Sequence, residues 1–172
     1  MEVRLANEQH IEVYKFHAGV VTGSVILALL LETFLPVHLG WAELIDLPLL
    51  VTIYFALSRR NPSAGLLLGM AIGVAQDSLS HTPIGLYGIS KTIVGFVASS
   101  IGARLDVEHP LARCLLTFLF FHLHNAVFVF ISRLLLARPE PYLETRVFIA
   151  SVASALLTIA LFPLLDRLRK PS

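Results

Sequence analysis

Two charged residues, Asp77 and Lys91, stand inside strongly apolar sequence. Burying an ionised side chain near the middle of a membrane-spanning helix costs roughly 2.5–3.5 kcal/mol on insertion scales. Residues of this kind pair with each other, line a transport or proton pathway, or meet a partner. Gly65, Gly69, Gly73 and Asp77 recur every four residues, so they form one ridge of a helix. The following segment answers with Gly88, Lys91, Gly95, Ala98 or Ser99, and Gly102 on a comparable stripe. Both charges thus share faces with small residues, which allow close helix–helix approach and keep the charges off lipid. Around a loop centred near Ser80 and His81, Lys91 should lie about 9 Å deeper than Asp77, at 1.5 Å rise per residue. Side chains lean toward the N-terminus of their own helix, so the two lean toward each other. A direct or water-bridged structural pair between Asp77 and Lys91 is expected. Gly65, Gly69, Gly73, Gly88 and Gly95 form the expected helix-contact face, serving internal packing or a partner's helix.

Other polar residues carry weaker signals. Glu32 falls near the outer end of the first apolar run and reads as interfacially exposed. His122, His124 and Asn125 invite a metal hypothesis, but positions two apart on a helix point to different faces and no third ligand follows. Polar packing between helices is the expectation there, with no metal and no cofactor. Phe118, Phe120, Phe121, Phe128 and Phe130 read as lipid-facing or core side chains. The lone Cys114 excludes an intramolecular disulfide and a multi-cysteine metal site. The sequence shows no phosphate loop, nucleophile elbow, zinc helix motif or paired catalytic carboxylates. The chain is expected not to be an enzyme.

These residues must be positioned by membrane helices. Of 172 residues, 56% are hydrophobic and 15% charged, with a mean hydropathy of +0.77. Soluble domains are nearer a quarter charged. Apolar stretches of about twenty residues can cross the hydrocarbon layer. Six are expected, at about 17–36, 42–58, 63–80, 83–104, 112–136 and 143–165, giving an all-α, polytopic, single membrane domain over 1–172. Asn61-Pro62, Thr82-Pro83 and Glu140-Pro141 place a capping-type residue before proline and suit helix starts. Pro36 is expected to end the first span. The second span is the weakest, because Glu43, Asp46 and Pro48 occupy its first third; it is expected to be tilted or re-entrant, with those residues facing protein or water. The polar first fifteen residues and the lack of a convincing cleavage site make the first span a retained helix.

Lys and Arg set the orientation. Nine lie on one side: Arg4, Lys15, Arg59, Arg60, Arg104, Arg113, Arg167, Arg169 and Lys170. Three, Arg133, Arg138 and Arg146, lie on the other. Both termini are therefore expected in the cytoplasm. Arg59, Arg60, Arg104 and Arg113 form cytoplasmic basic turns that can meet partners or anionic lipid.

The stretch from about 46 to 110 resembles the MreD family of bacterial rod-shape-determining membrane proteins. The features that carry the likeness are a short second span followed by Arg59-Arg60, then a glycine-rich helix ending in Gly73-x-x-x-Asp77. A short loop to Gly85 follows, and then a helix with Tyr87, Gly88 and Gly95. Gln76 and Lys91 depart from the family pattern, so no role for Lys91 comes from the resemblance. The resemblance implies an inner-membrane place in the cell-elongation machinery. It implies binding to MreC, and through it regulation of the RodA glycosyltransferase and its class B penicillin-binding transpeptidase, alongside MreB filaments. It also implies a fold similar to the substrate-binding subunits of energy-coupling-factor transporters. No nucleic-acid partner is expected.

Two readings follow. The first is a non-catalytic scaffold that orients partner helices. The second is a small-molecule carrier or binding subunit, with a polar-lined cavity on the non-cytoplasmic side involving Glu32, His81, Asp77 and Lys91. An intramembrane enzyme would need catalytic groups gathered at one depth, and only Asp77 and His81 lie close in sequence.

Overall fold

The computed structural model describes residues 16–80, 82–105, 107, 109–137 and 145–169, and these form six α-helices without strands. They are α1 (Ala18–His38), α2 (Leu47–Arg59), α3 (Pro62–Leu79), α4 (Leu86–Gly102), α5 (Pro110–Leu136) and α6 (Thr145–Asp166), with a 3-10 turn at Gly40–Leu44. α1, α5 and α6 are each long and apolar enough to cross a membrane, and α2 and α4 are shorter apolar helices. The all-α polytopic fold expected from the sequence is the fold observed.

The second helix explains its own shortness. Its thirteen residues span only about 20 Å at 1.5 Å each, well short of the ~30 Å hydrocarbon layer. Yet every residue from Pro48 to Ser58 is buried, and α2 touches all five other helices. A helix surrounded by protein has no lipid to match. Its apolar payload forms the core: Leu49, Ile53, Tyr54 and Phe55 pack with Val94 and Ala98 of α4, Phe120 of α5 and Phe162 of α6. Edge-to-face ring contacts join Tyr54 to Phe162 at 5.3 Å and Phe55 to Phe16 at 5.1 Å.

Helix starts follow local chemistry in some places and depart from it in others. Asn61 caps α3, its side-chain oxygen accepting from Ala64 N at 3.1 Å, with Pro62 in the first turn. Asp46 caps α2 in the same way, accepting from Leu49 N at 2.8 Å, with Pro48 just inside. The expected start of that span at 42 therefore moves to 47, because residues 40–44 form the separate turn. Thr82-Pro83 does not open α4, which starts three residues later, after Gly85 at φ +110°. Nor does Pro36 end α1; the helix runs on to His38, since a proline in the last turn forfeits a single backbone bond. Glu140-Pro141, Arg138, His81, Arg4, Lys15 and Lys170 lie outside the described residues.

α3 and α4 make the most extensive contact between helices. A methyl group added at Gly65 would overlap the Gly95 carbonyl and Ser99, one at Gly69 the Lys91 carbonyl, and one at Gly73 the Tyr87 carbonyl. At Gly95 it would meet the Gly65 carbonyl, and at Gly88 it would press on Val74 and Asp77. Backbone lies against backbone along this seam, which only glycine permits. The five glycines are used inside the chain, and the ridge of α3 has no room for a partner's helix.

Candidate functional site

Lys91 is fully buried, and its ammonium has a different partner from the one expected. Nζ donates to both oxygens of Asp46, at 2.7 Å and 2.6 Å. The expected pair with Asp77 is replaced because Asp77 is occupied elsewhere. Its carboxylate accepts from the backbone N–H groups of Gly85 (2.8 Å), Tyr87 (3.0 Å) and Gly88 (3.0 Å), and from the Thr82 hydroxyl (3.0 Å). Gly85, Tyr87 and Gly88 carry N–H groups that the first turn of α4 leaves without intrahelical partners. Asp77 caps α4 from the end of α3, and its negative charge also suits the positive end of the helix dipole. Thr82-Pro83 is bypassed because the cap comes from across the hairpin.

Asp46 is a junction. It caps α2, holds Lys91 of α4, and lies 3.6 Å from His124 Nε2 on α5. One carboxylate thereby ties three helices together. A charge buried without its partner costs several kcal/mol, so the pair fixes the register of these helices. Glu32 adds a fourth helix. It is half-buried rather than exposed at an interface, and its Oε2 accepts from Leu47 N at 3.1 Å. Two carboxylates thus serve the start of α2.

His124 stacks on Tyr87 at 5.8 Å, and Tyr87 meets Phe128 at 4.9 Å. His122 instead packs edge-on to Phe118 at 4.6 Å, so the two histidines point to different faces as the spacing requires. Among the described residues no group of three His, Cys, Asp or Glu side chains is placed to hold a metal. Glu32, Asp46, Tyr87, Phe121, His124, Asn125 and Phe128 line a cavity of about 210 Å³, with Glu43 and Arg146 at its rim in a 2.7 Å ion pair. Of the residues expected around a cavity, Glu32 lines it and Lys91 lies behind Asp46, whereas Asp77 faces the hairpin. Asp46, Tyr87 and His124 each stand out separately in the sequence, but no local motif joins them into one site.

The basic turns differ among themselves. Arg113 is largely buried, bonding Asp166 at 2.7 Å and the Val107 carbonyl at 2.9 Å. Asp166 also accepts from Tyr54 at 2.9 Å and pairs with Arg169 at 2.6 Å. This end of the bundle is closed by an internal network. Arg60, in the left-handed region at φ 53°, caps α2 and is buried; Arg59 is half-buried and Arg104 exposed.

A helical bundle with charges buried in pairs and caps, and apolar outer faces on its long helices, defines a polytopic membrane protein. The model of the family described as rod shape-determining protein MreD matches residues 14–170, and the chain belongs to that family. Comparison with curated proteins and with solved structures found no match.

Proposed function

We propose that this chain is a non-catalytic scaffold of the bacterial cell-elongation machinery, set in the inner membrane with both termini in the cytoplasm. It binds MreC, and through it regulates peptidoglycan synthesis by RodA and its class B penicillin-binding transpeptidase, alongside MreB. Family membership over nearly the whole chain is the observation that carries this reading. The geometry agrees with it. Asp46, Asp77, Lys91, Arg113 and Asp166 are engaged in holding helices, a distribution suited to a rigid platform. Large apolar side chains remain outward on α1, including Ile26, Leu27, Leu30 and Phe34, and on α5 and α6, giving lateral surfaces for lipid and for partner helices.

The test is co-purification of the tagged full chain with MreC from bacterial membranes in mild detergent. A stable stoichiometric complex is expected. Failure to recover one from membranes where both proteins accumulate would overturn the scaffold reading, and a small ligand found by mass spectrometry on the purified chain would then favour a small-molecule-binding subunit.

A further inference from the structure

The cavity beside Asp46 is lined by more acidic than basic side chains. Three carboxylates line it, from Glu32, Glu43 and Asp46. Lys91 takes both oxygens of Asp46, and Arg146 takes Glu43. Glu32 is left over: Oε2 accepts the Leu47 N–H, and no cationic side chain among the described residues bonds the carboxylate. A second group in the same wall is also incomplete. His124 is more than nine-tenths buried, and its Nδ1 has no hydrogen-bond partner among the described residues. Its Nε2 faces Asp46 at 3.6 Å, which favours the tautomer protonated at Nε2 and makes Nδ1 an acceptor without a donor. The remaining walls are aromatic, with Tyr87, Phe121 and Phe128 presenting rings. A carboxyl group with no cationic side chain bonded to it, set among ring faces, describes a site for a donor-rich cation.

We propose that this cavity binds a small organic monocation bearing a primary ammonium group, with Glu32 as its counterion and Tyr87 and Phe128 as its walls. An apolar cavity of about 150 Å³ holds benzene, so one of about 210 Å³ suits a group of roughly six to ten non-hydrogen atoms. The ammonium belongs either to a free amine or to the aminoethyl headgroup of a phospholipid, which offers the same charge and donors. The site stands independently of the scaffold reading: a protein that binds MreC can hold such a ligand, and one that does not can hold it as well.

Benzylamine, benzyl alcohol and benzoate are matched in shape and differ in charge. Each is titrated into the purified full chain in a maltoside detergent by calorimetry, and again with the Glu32→Gln variant, which keeps an acceptor for Leu47 N–H. Saturable benzylamine binding is expected, weakened at least about tenfold for benzyl alcohol and for E32Q, the loss of one charge-assisted bond. Equal affinity for the three compounds, preference for benzoate, or no saturable benzylamine binding overturns the proposal. Should E32Q fail to fold, the comparison of the three compounds on the unaltered protein still decides. The titration is then repeated in nanodiscs of phosphatidylglycerol with and without phosphatidylethanolamine. Competition by the ethanolamine lipid assigns the site to a headgroup, and unchanged benzylamine affinity assigns it to a free amine; both support the cation site.

Discussion

Asp77 is fully buried and Asp46 partly so, and the two carboxylates have separate duties that substitutions should tell apart. Asp46→Ala leaves the Lys91 ammonium buried without a counterion and should lower stability by about 3–5 kcal/mol. Pairing Asp46→Leu with Lys91→Met removes both charges and should recover most of that loss, because two well-packed apolar groups replace a desolvated ion pair. Asp77→Ala removes the acceptor of three backbone N–H groups and should cost about 1–3 kcal/mol. Asp77 and Lys91 share no hydrogen-bond partner, so their coupling in a double-mutant cycle should be far smaller than that of Asp46 and Lys91. Denaturation in mixed micelles measures all of these. A strong Asp77–Lys91 coupling would contradict the partners described for the two groups.

Elements were legible in proportion to how local their causes are. The six apolar stretches and the start of α3 could be read directly, because apolar length and Asn61-Pro62 are properties of adjacent residues. The start of α4 could not, since its cap comes from Asp77, eight to eleven residues back across the hairpin. Asp46 and Pro48 looked like a polar burden on a weak span when they are its cap and first turn. The face shared by Lys91 was recognised from its glycines, but its counterion was not, because only the packing of α2 against α4 brings Asp46 near. The glycines themselves give a contrast to measure. Gly69→Ala drives a methyl into the Lys91 carbonyl and should cost at least about 1–3 kcal/mol, backbone being unable to move aside cheaply. Gly19→Ala on α1 meets open space and should be neutral or stabilising by up to about 1 kcal/mol through helix propensity. Melting temperatures in detergent compare the two, and equal shifts would show that the α3–α4 seam is looser than described.

For the whole molecule, the distribution of Lys and Arg makes a claim about sidedness that labelling decides. In a Cys114→Ser background, Ser80→Cys should react with an impermeant maleimide added to intact spheroplasts, since Ser80 is exposed at the end opposite Arg104. Arg104→Cys should react only after permeabilisation, and the reverse pattern would invert the orientation. Arg113, Asp166, Tyr54 and Arg169 close the expected inner end, while the cavity and the Arg146–Glu43 pair mark the other. Asp46 and Lys91 are 45 residues apart in the chain. A ribosome adding 5–20 residues per second therefore delivers the lysine roughly 2–9 s after the aspartate. For those seconds α2 has its cap but not its counterion, so its central seat, ringed by five other helices, cannot yet be complete. Asp46 gains its counterion when α4 is made, and the ring of helices around α2 closes only with α5 and α6. The innermost helix of the bundle is thus among the first made, and its surroundings are complete only when the last helix has been.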